Sequence, residues 1–416
     1  MIDVPALCRR ARAASRVLAP RDRLAKDAAL RAMADGLRGH SEEILAASAR
    51  DVDEARARGT TGALLDRLSL DVRRVHQMAD AVEQVATLDD PVGTVLSDVI
   101  RADGLRVRRV RIPIGVVAMI YEARPNVTAE ASALCLKAGN AVVLRGGSEA
   151  ARSNAAIVAV VADALERTGL PRDAVQALPP GEREAIGVLL QQTETVDLVI
   201  PRGGEALIRF VRENARIPVI AHARGVCHLY VDAGADLDAA VRLAVNGKLQ
   251  RPGVCNALEC LLIDASDAAR LLPPIARALL DGGCELHGCE RTRALVPEAG
   301  PASDDDWGHE YLDRILAVRV VDGVDGALQH VERYGSRHTE AICTRDAGHA
   351  ERWRRDVDAA CVIVNASTRF HDGGELGLGA EIGIATGKLH WRGAMGLEAL
   401  TTFQWRVDGD GQTRVG

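Results

Sequence analysis

The sequence predicts an α/β protein made of two doubly wound domains plus an oligomerisation hairpin. Three observations carry that prediction. From residue 115 onward, apolar runs of strand length alternate with helical segments, which is the pattern of parallel sheets flanked by helices. Apolar residues reach 47% but aromatics only 3%, so the core must be packed from Ala, Val, Leu and Ile, as buried parallel strands are. A stretch of period two around Asp103-Gly104 follows neither pattern. The length of 416 residues exceeds what one ordinary core accommodates.

In order along the chain, residues 3–86 read as helices, with Ala28, Leu30, Met33, Ala34 and Leu37 at helical spacing and a break at Gly59 to Gly62. Over 95–112, Leu105, Val107 and Val110 alternate with arginines, a hairpin signal with one exposed face. Such a ribbon serves either as an oligomer contact or as a solvated edge, and both alternatives stand. Strand-like 115–121, 141–144, 174–177 and 198–200 then alternate with helical 129–137, 154–168 and 182–192. A second α/β set follows: helix 237–246, strand 258–263, helix 268–280, strand 316–321, helix 327–334 and strand 362–364. Within it, 297–306 reads as an exposed acidic loop. Residues 369–396 are rich in glycine and low in periodicity, and a loop of that length in a folded protein is usually functional. Strand-like 399–407 precedes a polar tail that is expected to fray.

Composition excludes several classes. The net charge of −6 with mixed signs gives no general affinity for nucleic acid or anionic membrane. No apolar stretch approaches the roughly 18 residues of a membrane span. The nine cysteines contain no C-x-x-C pair, so their spacing suggests neither a disulfide framework nor a metal site, and fits a reducing compartment. Met1 to Pro5 lack a signal-peptide pattern, and a soluble cytoplasmic protein is expected.

One cysteine stands out. Cys255 follows Arg251-Pro252-Gly253-Val254 and precedes the apolar run from Leu258. A turn leading into a buried strand is where a rigid scaffold holds a nucleophile, and a thiolate is suited to attack an activated acyl carbon. Two glycine pairs, Arg145-Gly146-Gly147-Ser148 and Pro201-Arg202-Gly203-Gly204, end strand-like runs and precede helices. Backbone N–H groups there could receive a phosphate, although no G-x-G-x-x-G fingerprint is present.

Longer motifs point to a family. Residues 120–127 (Ile-Tyr-Glu-Ala-Arg-Pro-Asn-Val), 144–149, 200–204, 250–252, 330–342, 365–370, 377–383, 388–390 and 395–397 resemble, in order and over nearly the whole chain, the gamma-glutamyl phosphate reductases of the aldehyde dehydrogenase superfamily. The resemblance implies an aldehyde dehydrogenase-like fold. It implies NADPH-dependent reduction of L-glutamyl 5-phosphate to glutamate 5-semialdehyde and phosphate, the second step of proline synthesis from glutamate. Glutamate 5-kinase is the partner it suggests.

The domains expected are an NADPH-binding domain (1–97 and 113–224), an oligomerisation hairpin and strand (98–112 with 399–407), a catalytic cysteine domain (225–365) and a glycine-rich substrate segment (366–398). Cys255 would be the nucleophile, with its backbone N–H and the Asn126 amide as oxyanion donors. Asn126 follows a proline, where hydrolytic relatives have their asparagine before one, so an ordinary turn asparagine remains the alternative. Arg145 would face the NADPH 2′-phosphate, with Gly146, Gly147 and Ser148 beside it. Gly203 and Gly204 would face the pyrophosphate. Glu310 would hold the nicotinamide ribose, unless it is a solvated surface charge. Arg124, Arg251, Arg369 and Lys388 are candidates for the substrate anions, and Ser367 and Thr368 for the α-carboxylate; which cation takes phosphate stays open. Hydrolytic relatives carry a glutamate base where this sequence has His222, so water attack on a thioester would go unassisted.

Overall fold

Aspartates start three of the N-terminal helices of the computed structural model, which describes residues 3–122, 124–179, 183–222 and 224–414. Asp3, Asp22 and Asp71 each accept the backbone N–H three residues on, at 2.8, 2.9 and 2.6 Å, satisfying donors the helix leaves open. Five helices result: Val4–Leu18, Arg23–Gly39, Ser41–Ala57, Gly62–Leu68 and Val72–Thr87. The break expected at Gly59 to Gly62 separates the third from the fourth. Motif residues Ala123 and Ala223, the expected helix start at Glu182, and Met1 and Ile2 lie outside the described residues.

The chain divides into two compact units: residues 1–221 with 378–383 and 395–416, and residues 222–377 with 384–394. In the first, β1 (Val95–Ile100) and β2 (Arg106–Pro113) form the expected antiparallel hairpin. Gly104 supplies a positive φ of 84° at its turn. The C-terminal strand Thr401–Asp408 adds to the free edge of β2. Val95, Val99, Ile100, Phe403, Trp405 and Val407 of this three-stranded sheet are all exposed. Beside it in the chain come β3 (Val116–Tyr121), β4 (Ala141–Arg145), β5 (Val175–Ala177) and β6 (Leu198–Arg202), all parallel in the order β5-β4-β3-β6. Every residue of β3 is buried, as a central strand with helices on both faces requires.

The second unit is a seven-stranded parallel sheet, ordered β10-β9-β11-β8-β7-β12-β13. Its strands are β7 (Cys227–Val231), β8 (Leu258–Asp264), β9 (Glu285–Gly288), β10 (Gly300–Pro301), β11 (Ile315–Val321), β12 (Thr339–Cys343) and β13 (Cys361–Val364). Leu261, Leu262 and Ile263 of β8 have no exposed surface, and each such side chain stabilises the core by about 1.5–3 kcal/mol.

Departures from the sequence-based elements are local. The helix expected over 182–192 is described as Arg183–Leu189. The segment read as an exposed loop over 297–306 carries the edge strand β10 and ends at the partly buried Asp306, held between His287 and Tyr311. Helices Glu205–Asn214 and Ala347–Asp356 and strands β7, β9 and β12 were not resolved by periodicity.

Candidate active site

The loop carrying Cys255 is fastened at both ends. It leaves the helix Leu237–Leu249 and enters β8. Lys248 Nζ on the helix lies 2.6 Å from Glu259 Oε2 on the strand, and neither side chain has any exposed surface. Burial pushes the Glu259 carboxyl up to about 7, against the opposing pull of Lys248. The other Glu259 oxygen accepts the Leu312 N–H at 3.2 Å, which fixes the segment bearing Glu310.

Asn256, next to the cysteine and buried, donates its amide to the carbonyls of Arg369 (3.3 Å) and His371 (3.0 Å). The residue after the thiol thereby grips Ser367–His371. Asn365 delivers that segment: its φ of +57° turns the chain out of β13, and its amide bonds both the N–H and the carbonyl of Thr344, a local pairing that asparagine makes in the left-handed region. Gly225 passes directly against the cysteine. A Cβ there would stand 2.0 Å from the Cys255 carbonyl oxygen, so only glycine permits the approach.

Histidines surround the thiol. One ligand atom each of His222, Cys255 and His338 lie within 4.8 Å of one another. His338 is fully buried, with Nδ1 at 2.7 Å from Thr339 Oγ1, which lies 2.8 Å from His371 Nδ1. Burial, then the neighbouring His222 and His371, hold His338 well below the usual histidine range. Burial, then His222, lower His371 to about 4. Both rings are therefore neutral at neutral pH. Arg369 donates Nε to Gln250 at 2.8 Å. It lies below the ordinary arginine value because it is desolvated, with Asp372 and Cys255 favouring its charge and Arg251 opposing it.

Cys255 is half-buried, whereas Cys135 and Cys227 are buried completely. Burial pushes the Cys135 thiol up to about 12 and the Cys227 thiol well above its usual value. Cys255 is thus a half-buried thiol with the Arg369 guanidinium near it. That arrangement suits covalent attack on an anionic acyl donor.

The aldehyde dehydrogenase family model matches residues 2–280. Gamma-glutamyl phosphate reductase of Sorangium cellulosum is 59% identical over 98% of this chain and 97% of its own length. The crystal structure of the Thermotoga maritima gamma-glutamyl phosphate reductase superposes with a TM-score of 0.98 at 45% identity, covering 100% of both chains. The chain belongs to the aldehyde dehydrogenase family, in its gamma-glutamyl phosphate reductase branch. The Saccharomyces cerevisiae enzyme of that branch is 30% identical with a TM-score of 0.56 over 100% of both chains. As a member of the branch, the chain is an oxidoreductase of the glutamate-5-semialdehyde dehydrogenase type.

In this reductase the remaining sequence-predicted residues fall in two groups. Arg251, Ser367, Thr368 and Arg369 lie with Cys255 on the loop and the segment that Asn256 joins. Ser367 Oγ accepts the Arg369 N–H at 3.3 Å, and the Thr368 hydroxyl is buried without a hydrogen-bond partner. Lys388 is exposed and pairs with Asp358 at 2.8 Å, on the carboxylate that Arg392 also holds at 2.7 Å. Glu310 is half-buried beside Tyr311, whose hydroxyl donates to Asp306.

In the other unit, Arg124 is the N-cap residue of the helix Pro125–Lys137. Asn126 is therefore helical rather than in a turn, and its amide donates to Glu130 at 2.9 Å. Arg145 ends β4 and donates to the Gly146 carbonyl at 2.9 Å. Gly146 lies tight against Asn154, whose amide nitrogen a Cβ would approach to 2.1 Å. Ser148 opens the short turn Ser148–Ala150, and a Cβ on Gly147 would meet the Glu149 carboxylate at 2.1 Å. At the second glycine turn, Glu122 Oε2 already accepts the Gly204 N–H at 2.9 Å, and a Cβ on Gly203 would come within 2.4 Å of the same oxygen. A carboxylate thus caps the helix Glu205–Asn214, where the sequence placed the pyrophosphate.

Sequence reasoning assigned no work to His338, His371 or Asn256, and marked His222 only as standing where hydrolytic relatives carry a glutamate base. The available signal was that His338 belongs to a family motif and Asn256 directly follows the cysteine. Their convergence depends on strand order β8-β7-β12, which periodicity does not supply.

Proposed function

We propose that the chain reduces L-glutamyl 5-phosphate with NADPH, by way of a thioester on Cys255, giving glutamate 5-semialdehyde and phosphate for proline synthesis. The observation that carries this is the half-buried thiol with Arg369 near it and Arg251 near Arg369. The thiolate attacks the acyl carbon, the carbon–oxygen bond to phosphate breaks, and the glutamyl group stays on sulfur. Arg369 stabilises the departing phosphate, and Ser367 and Thr368 bind the amino-acid end. The Cys255 N–H and Asn126 are the proposed donors to the oxyanion.

The aldehyde dehydrogenase family uses nicotinamide cofactors, and NADPH would supply the hydride that reduces the thioester. The residues present fit it in part. Arg145, at the carboxyl end of a parallel strand, offers a guanidinium for a 2′-phosphate. Gly146, Gly147 and Ser148 follow it in the chain, with Asn154 and the Glu149 carboxylate packed against the two glycines, and Glu310 would hold the nicotinamide ribose. At Gly203 and Gly204 the Glu122 carboxylate must give way before a phosphate can use the helix end. After reduction the Cys255 sulfur leaves as thiolate and the aldehyde is released.

Self-association through the exposed face of the three-stranded sheet belongs to the same proposal. Val99, Phe403, Trp405 and Val407 are exposed and, by the strand register, share one face, a surface that a second copy would cover. No helix among the described residues is long and apolar enough to cross a membrane.

The reading is tested in the oxidative direction, with semialdehyde and either NADP or NAD, at graded phosphate. Turnover should rise from near zero as phosphate is added, and NADP should be preferred. Sustained turnover without phosphate would instead mean that water cleaves the thioester, and would overturn the reading.

A further inference from the structure

The hydrogen bonds around Cys255 fix the protons on its histidine neighbours. His222 Nδ1 lies 3.0 Å from the Ile384 carbonyl. A carbonyl only accepts, so Nδ1 carries the proton and the neutral ring has its lone pair on Nε2. For His338 the same logic takes two steps. The Cys227 thiol donates to the Cys255 carbonyl at 3.2 Å. Its sulfur, 3.5 Å from His338 Nδ1, can then only accept. We assign the proton to His338 Nδ1, which then donates to Cys227 Sγ and Thr339 Oγ1. Its Nε2 is unprotonated and buried, and has no hydrogen-bond partner. Ring N–H groups bound to a carbonyl and a hydroxyl are the outer contacts that orient metal-ligating histidines.

We propose that His222, Cys255 and His338 form a binding site for a thiophilic divalent cation of the zinc type, which blocks the thiol when occupied. Two imidazole nitrogens and a thiolate are a typical zinc donor set, with the fourth position open to water. The three ligand atoms now lie within 4.8 Å of one another. A tetrahedral zinc site needs about 3.4–3.6 Å between such atoms, given its bond lengths. A rotation about the Cys255 side-chain bond, with His222 held by the Ile384 carbonyl, would have to supply the difference. Binding would exchange the thiol proton for the metal, with no change in oxidation state.

A second group, His228, Cys260 and His330, is equally close but differently wired. There Arg319 Nη1 donates to His330 Nδ1 at 3.1 Å, so the neutral ring carries its proton on Nε2, facing Cys260 at 3.5 Å. That nitrogen has no lone pair to offer, and the group is a hydrogen-bonded network. The contrast singles out the cluster at Cys255. The proposal stands on this geometry and does not require that Cys255 be the nucleophile.

The test uses cobalt(II) as the probe, added to the full chain without chelator or added thiol. One equivalent should produce a thiolate-to-cobalt charge-transfer band and the intense visible bands of four-coordinate cobalt, and zinc should bleach both. Cys255→Ser should abolish the charge-transfer band. His222→Ala, with folding checked by circular dichroism, should weaken cobalt binding at least about tenfold. Absence of the band in the unaltered protein, its survival in Cys255→Ser, or unchanged affinity in His222→Ala would each overturn the site. Because the readout is absorption, a failure here leaves the phosphate-dependence assay untouched, and the reverse holds too.

Discussion

Cys255→Ala is expected to lower kcat/KM by about 10⁴-fold or more, the scale at which removal of a covalent nucleophile is felt, while the thermal midpoint stays close to that of the parent. The side chain is half-exposed and short. Its hydrogen bond from Cys227 uses the backbone carbonyl, which alanine retains. The effect should be specific to this thiol. Cys135, fully buried with its thiol pushed up by burial, belongs to the core, and its replacement by alanine should cost stability with little direct effect on chemistry. Steady-state kinetics and thermal melts of the two variants separate these outcomes. Comparable activity in Cys255→Ala and the parent would remove the thioester from the account.

Lys248→Met should produce the largest loss of stability, about 3–5 kcal/mol, because it leaves the Glu259 carboxylate buried without its partner. The two side chains are 2.6 Å apart with no exposed surface. The loss should reach the site as well, since this pair joins the two ends of the cysteine loop and Glu259 also holds the Leu312 N–H. A fall in kcat at temperatures where the variant is still folded is therefore expected. The double change Lys248→Met with Glu259→Leu should recover much of the stability, as removal of both buried charges does elsewhere. Chemical denaturation of the three variants measures this. A single variant as stable as the parent would show that the buried pair does not hold the loop.

The sequence made the alternation of strands and helices legible because most strands are continuous apolar runs. Residues 116–121, 141–145 and 258–264 fall where that alternation puts them. Two of the strands it missed, β7 and β12, carry charge inside. Cys227–Val231 contains His228 and Thr339–Cys343 contains Glu340, yet all residues of both strands are buried. The two are neighbours across β7 and β12 and bond each other at 2.8 Å. Burial opposes charge on His228, and the Glu340 carboxylate outweighs it and raises the ring to about 10. Each residue disguised its own strand and finds its opposite charge only on the neighbouring one, which a period-two search cannot detect. The site divides in the same way. Cys255 was visible because Pro252-Gly253 announces a turn before an apolar run. His222 and His338 reach it only through the parallel order of β8, β7 and β12, so no local spacing could join them. The helical position of Asn126 was hidden for a simpler reason: Pro125 opens the helix Pro125–Lys137 at the first-turn position proline favours, which rules out only the alternative of an ordinary turn asparagine.

The most direct test of the central claim is mass analysis of the protein after mixing with glutamate semialdehyde and NADP in phosphate-free buffer. One equivalent of NADPH per chain should form in a burst, and a single glutamyl group should appear on the peptide that contains Cys255, released when phosphate is added. A burst without that adduct, or a glutamyl group on any other cysteine, would contradict the account.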